Sequence, residues 1–576
     1  MLTAAQKTRV ALAIMIFFMI AAALWVRLLW LQVLQPDHWM SIARRQHVQV
    51  VELPPLRGSI LDRNGKPLAL SLRLTSVFAD PRHIKNGNAL TRKLAPVLQI
   101  PEQKLREEFA RKHRGFVWLK RKIPNSQAAK IRAMRLPGVH LVTETQRFYP
   151  HGYLASQVLG FAGMDNQGLE GIEMTWDRLL KGEPGWRWLA RDARSRNVGA
   201  WDMAAVMPRD GLEMVLTLDT TIQYIAERAL EEAYLKHKAK AACIVVSDPY
   251  TGEILALANR PSYDPNRFSK VTPEQRRNRA VTDMFEPGSV FKIVTAATAL
   301  GTNSVRPEDT FFCENGNYAV AGRVLHDHHP HGTLTFRQVI TESSNIGVAK
   351  VAMKMGIQPL YNGIRAFGVG EKTGVDLPGE SRGAVTAPKN WSKSTITTVP
   401  MGHEVAVNAL HLAQIISVVA NGGTLVRPWI VREIRDPSNG TVVQSFKPRR
   451  VRQVITPETS AQLKEILAGV VEDEEGTGKA ARVEGYRAAG KTGTAQKLEP
   501  NGQYSHTKFT ASFIGFVPVE RPRLSIVVVL DEPKFPYFGG VVSAPVFKRV
   551  ATDALAYLGA QRGGLLIASA NQDQNE

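Results

Sequence analysis

Cysteine is almost missing from this chain: 576 residues carry two, Cys243 and Cys313. That excludes a disulfide framework, and since both lie in apolar runs (AACIVV and FFC) they are expected as buried free thiols. Acidic residues are in deficit, with 52 Asp and Glu against 73 Lys and Arg, a formal charge of +21. Such a surface calls for an acidic neighbour, and nucleic acid, anionic phospholipid or an anionic wall polymer would each serve. Internal repeats are lacking, and so is any strict metal-ligand spacing. The histidine cluster His326, His328, His329 and His331 is interrupted by Pro330 and reads as a surface turn, so no metal or cofactor is expected.

A chain of this length is too long for one core and suggests two or three domains. The N-terminus decides the compartment. Val10 to Val26 holds no charge or strongly polar group, and past Arg27 the apolar character resumes as LLWLQVL. A span needs about 20 such residues, which residues 10–32 supply if Arg27 snorkels to the far interface. Lys7 and Arg9 precede it, so the positive-inside rule predicts a cytoplasmic stub (1–9) and export of the rest. The rival is a cleavable signal with Ala21–Ala23 as its small-residue site. The apolar core is long for a signal, and bulky Leu24 and Trp25 follow the alanines. An uncleaved anchor is the better reading. Export argues against nucleic acid as the partner.

After the anchor comes a segment of short strand-like runs, with Arg63-Asn64-Gly65-Lys66 as a hairpin turn and an amphipathic helix plus strand over residues 101–122. It holds no catalytic constellation and is read as a non-catalytic α+β pedestal, residues 37–210. A second domain, 211–560, opens with VLTLDTT, where Thr220 or Thr221 is expected to cap a helix. Residues 242–258 form a hairpin, 509–533 two more strands, and 544–558 a closing helix. Hairpins from both ends of the segment with helices between them predict an α/β domain with an antiparallel central sheet. Residues 561–576 read as a disordered tail.

Three short words in this second domain carry chemistry. Ser289-Val290-Phe291-Lys292 follows Glu286-Pro287-Gly288 and opens a buried apolar helix. Ser289 would stand at that helix N-terminus with Lys292 on the same face, a nucleophile beside a base whose proton must be loosened. The bland reading is a helix cap with a snorkelling lysine. Ser343-Ser344-Asn345 lies between two helical runs and could equally be an ordinary cap. Lys491-Thr492-Gly493-Thr494 suits an edge strand whose Gly493 lets a ligand backbone approach. Each word has a duplicate: Ser505–Lys508, Ser195–Asn197, Ser569–Asn571 and Lys372–Gly374. Only the 289, 343 and 491 set shares one domain with compatible contexts.

With these words in place, the chain resembles the class B penicillin-binding proteins, most closely their division-specific D,D-transpeptidases (the FtsI family). PLRGSILDRNGKPLA, RFYPHGYLASQVLGF and GLEGIE resemble the family's pedestal motifs, and FEPGSVFK, TESSNIGVAK and AAGKTGTAQK its site motifs. FGVGEKTGVDLPGE and YFGGVVSAPVFKRV match further family segments, and SSN rather than SSD favours the division branch. The resemblance implies a serine β-lactamase-like catalytic domain facing the periplasm from the inner membrane. It implies that Ser289 attacks the D-Ala-D-Ala carbonyl of a pentapeptide stem, with Lys292 as base and Lys491 supplying positive potential. Ser343 would relay a proton, Asn345 would hold the substrate amide, and Thr492 and Thr494 would bind its carboxylate, beside Gly493. Backbone N–H groups of Ser289 and Thr494 would form the oxyanion hole. β-Lactams would acylate the same serine. Implied partners are an FtsW-type glycosyltransferase, other division proteins and the membrane. The alternatives are an elongation-type transpeptidase, a D,D-carboxypeptidase or a non-catalytic β-lactam sensor or scaffold.

Overall fold

The computed structural model describes residues 3–35, 37, 39, 48–190, 203–499 and 501–559. The duplicate words at Ser195–Asn197 and Ser569–Asn571, and the tail at 561–576, lie outside the described residues. The chain divides into two compact units, residues 1–55 with 182–210, and residues 56–181 with 211–576.

In the first unit, an α-helix over Ala4–Leu29 continues through a π-helical turn over Trp30–Leu34. Among the described residues it is the one helix long and apolar enough to cross a membrane, and none of its side chains is buried. Arg27 near its end lies over the Trp30 ring at 4.6 Å, a cation–π contact. A three-stranded antiparallel sheet pairs Gly185–Ala190 with Val48–Leu53 on one side and Met203–Val206 on the other.

The second unit is built around a five-stranded antiparallel sheet. Its order is Ile254–Arg260, Ala241–Ser247, Leu524–Asp531, Tyr504–Val517, Ala489–Leu498, so strands from the two ends of this segment meet at its centre. The central strands are continuous apolar runs because both faces are covered. Ile244, Val246, Ile526 and Val528 face the helices Thr220–Lys236 and Ala544–Tyr557. Val245, Val527 and Val529 point the other way, into a core shared with helices Lys292–Gly301 and Ala409–Ala420. The strand Ala489–Leu498 stands at the edge of this sheet, as its small and polar residues suggest.

One expectation needs correction. Helix Thr220–Lys236 is capped by Asp219, not by a threonine: its Oδ1 accepts from the N–H groups of Thr221 and Ile222. Thr220 is turned away, giving both its N–H and its hydroxyl to Asp62 Oδ2. One sheet runs across position 210/211. The strand Ile60–Leu61 runs parallel to Glu213–Leu216, and the sheet continues through Val431–Arg435 to Val442–Ser445. In the other direction it passes through the long strand Pro67–Ala79, which pairs with Val117–Ile123 and Val139–Phe148. One core accordingly takes Ile60, Tyr149, Phe161 and Ile172 together with Val290 and Ile293. The outer end of the pedestal keeps a smaller core of its own around Val77, Leu94, Leu105 and Phe109.

The pedestal motifs converge on one buried ion cluster. Glu173, fully buried, accepts from Arg57 Nε and Arg147 Nε at 2.5 Å each and from the Tyr149 hydroxyl at 3.2 Å. Arg57 reaches on to Asp177 at 2.6 Å. Removing one member of such a cluster strands the others without solvent. Glu173→Ala should therefore cost about 3–5 kcal/mol in denaturant unfolding. Glu102→Ala, which removes an exposed pair with Arg106, should cost about 1 kcal/mol or less.

Candidate active site

Ser289 sits in a short 3-10 turn, Gly288–Phe291, which leads directly into the α-helix Lys292–Gly301. Lys292, the first residue of the helix, follows Ser289 by three, a spacing that puts the two on one face of the turn. Pro287 and Gly288 start the turn, and Gly288 takes a φ of +61°, which glycine adopts without cost. Glu286 holds the approach: its carboxylate lies 2.8 Å from His403 Nδ1 and accepts from Glu404 N at 2.8 Å and the Tyr504 hydroxyl at 3.1 Å.

Lys292 and Lys491 are both fully buried. Lys292 Nζ donates to the Ser343 carbonyl at 2.6 Å and to Asn345 Oδ1 at 2.8 Å, and lies 3.2 Å from Ser343 Oγ. Lys491 Nζ donates to the same Oγ at 2.9 Å. The two nitrogens are thus within about 6 Å of each other, inside the range where like charges oppose one another. Burial brings the Lys292 amine down to about 7, against a raising pull from Asp327. Burial, then the Lys292 charge, holds Lys491 well below the usual range. A neutral amine has two N–H groups and one lone pair. At Lys292 the two shortest contacts take the N–H groups, and the lone pair is left for a hydroxyl.

Ser343 occupies the loop between helices Phe336–Thr341 and Asn345–Met355, with a φ of +64°. A non-glycine residue held there is strained, and such strain collects at functional sites. Ser344 caps the second helix through Gly347 N at 2.9 Å. Asn345 does not point free into the cleft: Oδ1 accepts from Lys292 and Nδ2 donates to the His326 carbonyl at 2.9 Å. The sequence singled out Ser343 and Asn345 but missed Asp327 beneath them. Its carboxylate accepts from Ser344 Oγ at 2.6 Å, Asn345 N at 2.5 Å and Ile346 N at 3.0 Å. The signal was masked by the histidines around it.

The edge strand brings Lys491, Thr492, Gly493 and Thr494 alongside the Ser289 turn. Gly493 has a packing reason within the chain. A Cβ there would lie 2.4 Å from Ser512 Oγ, 2.9 Å from Val290 Cγ1 and 3.0 Å from the Pro287 carbonyl. The glycine lets the strand close on the Ser289 turn. Thr492 donates its hydroxyl to Thr477 Oγ1 at 3.0 Å, and Thr494 Oγ1 accepts from Gly539 N at 3.0 Å. The duplicates part company with the site. Ser505–Lys508 lies within a strand. Lys372–Gly374 lies in a loop where Thr373 gives its N–H and hydroxyl to Glu380. Cys243 and Cys313 are buried and free.

With this geometry, residues 242–552 match the penicillin-binding protein transpeptidase domain. The chain belongs to that family. Residues 52–216 match the penicillin-binding protein dimerisation domain. Relatives of this penicillin-binding protein include the stage V sporulation protein D of Bacillus subtilis, 37% identical over 92% of this chain and 83% of its own length. The peptidoglycan D,D-transpeptidase FtsI of Escherichia coli is 33% identical over 95% of this chain and 91% of its own. The probable D,D-transpeptidase PbpC of Pseudomonas aeruginosa is 33% identical over 96% of each. The solved penicillin-binding protein 3 of Mycobacterium tuberculosis superposes with a TM-score of 0.69 at 28% identity, covering 89% of this chain and 98% of its own. A further structure of that protein is a complex with ampicillin.

Asp327 is the carboxylate that raises the Lys292 pKa. Asp327→Asn keeps an oxygen for the two helix N–H groups and removes the charge. The acid limb of Ser289 acylation should then move to lower pH, read as labelling rate against pH; a shift upward would contradict the geometry.

Proposed function

We propose that this chain is a membrane-anchored peptidoglycan D,D-transpeptidase in which Ser289 carries the acyl group. The observation that supports it best is the shared Ser343 hydroxyl, which joins two buried lysines, one of them three residues after a half-buried serine. Lys292, titrating near 7, is free of its proton in much of the population at neutral pH.

The steps follow from that pairing. The Ser289 hydroxyl gives its proton to the Lys292 lone pair as its oxygen attacks the carbonyl carbon of the penultimate D-Ala. Backbone N–H groups of Ser289 and Thr494 hold the developing oxyanion; losing such a donor typically costs about 10²–10³ in rate. The proton on Lys292 passes through the Ser343 hydroxyl to the leaving nitrogen, the C–N bond breaks, and D-Ala departs. Asn345 keeps Lys292 and the substrate amide in register. Lys491, with Thr492 and Thr494, attracts the terminal carboxylate across Gly493. The amine of a neighbouring stem then attacks the ester, its proton leaves by the same route in reverse, and Ser289 is released. A β-lactam follows the first half and stops at the ester.

Residues 37–210 serve as pedestal and 211–560 carry the chemistry, although one sheet crosses between them. Lys7 and Arg9 ahead of the anchor favour a cytoplasmic N-terminus and a catalytic domain on the far side of the inner membrane, with no nucleic acid among its partners. An FtsW-type glycosyltransferase and other division proteins are the partners this reading carries over from its relatives' family.

Fluorescent penicillin should label the full chain in detergent, and Ser289→Ala should abolish the label; equal labelling of both would sink the acyl-enzyme. With a pentapeptide donor and an amine acceptor, cross-linked dimer is the expected product. Released D-Ala alone would make the enzyme a carboxypeptidase.

A further inference from the structure

The excess of basic residues is not spread evenly along the chain. Residues 78–148, the outer end of the pedestal, carry 16 Lys and Arg against 5 Asp and Glu. That places +11 of the chain's +21 in 71 of its 576 residues.

The same end exposes a row of aromatic rings. Trp118 in the strand Val117–Ile123 and His140 in the strand Val139–Phe148 both lie directly opposite Phe78 in the strand between them. Their chain neighbours Val77, Ala79, Leu119 and Leu141 turn to the other face of the sheet. There they pack in the core under the helices Gly87–Leu98, Glu102–Ala110 and Asn125–Ala133. Strands lie about 4.8 Å apart, so the row runs about 10 Å across the sheet. Phe78 stacks on Phe116 at 4.5 Å and on His140 at 5.1 Å, and Trp118 meets Phe116 edge to face at 4.8 Å. Phe116 stays 47% exposed and Trp118 37%.

Cations rim these rings. The exposed run Arg111-Lys112-His113-Arg114 leads into Phe116, and Arg82 lies against Gly115. The Arg121 guanidinium sits over the Trp118 ring at 5.0 Å. The charge calls for an anionic partner and disfavours a second copy, which would bring the same +11 to the contact. Rings stacked on a sheet present flat faces rather than side chains free to insert among acyl chains, so a lipid surface suits them poorly. An aromatic face carries negative charge density, and the C–H groups on one side of a sugar ring complement it.

We propose that this face of the pedestal binds a carboxylated glycan strand. Sugar rings lie along Trp118, Phe78 and His140, and Arg82, Arg114 and Arg121 receive the carboxylates, whether these sit on the sugars or on attached peptide stems. The polymer is taken from the peptidoglycan reading above, but the surface asks nothing of Ser289. A strand held there raises the concentration of stems around the enzyme without a new contact at the cleft.

The test measures anisotropy of fluorescent soluble peptidoglycan strands with the full chain in nanodiscs of neutral lipid, under excess penicillin so that the Ser289 cleft is occupied. The wild type should bind, less well as salt rises. Replacing both rings, Trp118→Leu with Phe116→Leu, should weaken binding about tenfold, while Trp118→Phe should stay within about twofold of wild type. Penicillin labelling reports that each variant is folded. Weaker binding of strands stripped of their stems by an amidase places the carboxylates on the stems, and equal binding places them on the sugars; the surface stands in both cases. Strands that fail to bind the wild type, or that bind the double leucine variant equally well, would overturn the proposal. So would vesicles rich in phosphatidylglycerol that displace the strands and depend on the same rings. A wild type that takes no penicillin label overturns the enzyme reading alone, so the two failures are distinguishable.

Discussion

The site is organised around one hydroxyl group shared by two buried amines. Ser343 Oγ lies 3.2 Å from Lys292 Nζ and 2.9 Å from Lys491 Nζ, with both lysines cut off from water. Two full charges at that separation without solvent would be costly, so the arrangement sheds protons. Lys292 can then do what a lysine on a surface helix cannot, and accept a proton from serine near neutral pH. Its two N–H groups are committed to Ser343 O and Asn345 Oδ1, which leaves the lone pair aimed by elimination.

Everything nearby serves to keep those atoms in place. The 3-10 turn sets Ser289 three residues ahead of Lys292, and Gly493 allows the KTG strand to press against that turn. Asp327 pins the start of the Asn345 helix, and Glu286 ties the segment before Ser289 to His403, Glu404 and Tyr504. The central sheet, buried on both faces, gives the edge strand a rigid backing. Strain at Ser343 is tolerated because its neighbours over-determine the loop.

Much of this could be read from the residues in order. Apolar runs such as AACIVV and LSIVVVL marked the central strands, and Pro-Gly before Ser289 marked the turn. The edge position of KTG followed from its small flanking residues. What escaped was non-local. Asp327 carries no spacing pattern of its own and hid among His326, His328 and His329. The parallel pairing of Ile60–Leu61 with Glu213–Leu216 joins segments far apart in sequence through a strand too short to show a period. Asp219 against Thr220 as the cap turned on Asp62, a partner that no local window contains. Gly493 stands on the expected edge strand, and its close approach to Ser512, Val290 and the Pro287 carbonyl could not be read from the local sequence.

The central claim is that Lys292 is a neutral base near physiological pH. The most direct test is the pH dependence of Ser289 acylation by a penicillin whose own charge is constant across the range. The account predicts a rate that climbs about tenfold per pH unit in acid, bends near 7 and stays flat above it. A rate still climbing toward the ordinary lysine range, about 10, would contradict it.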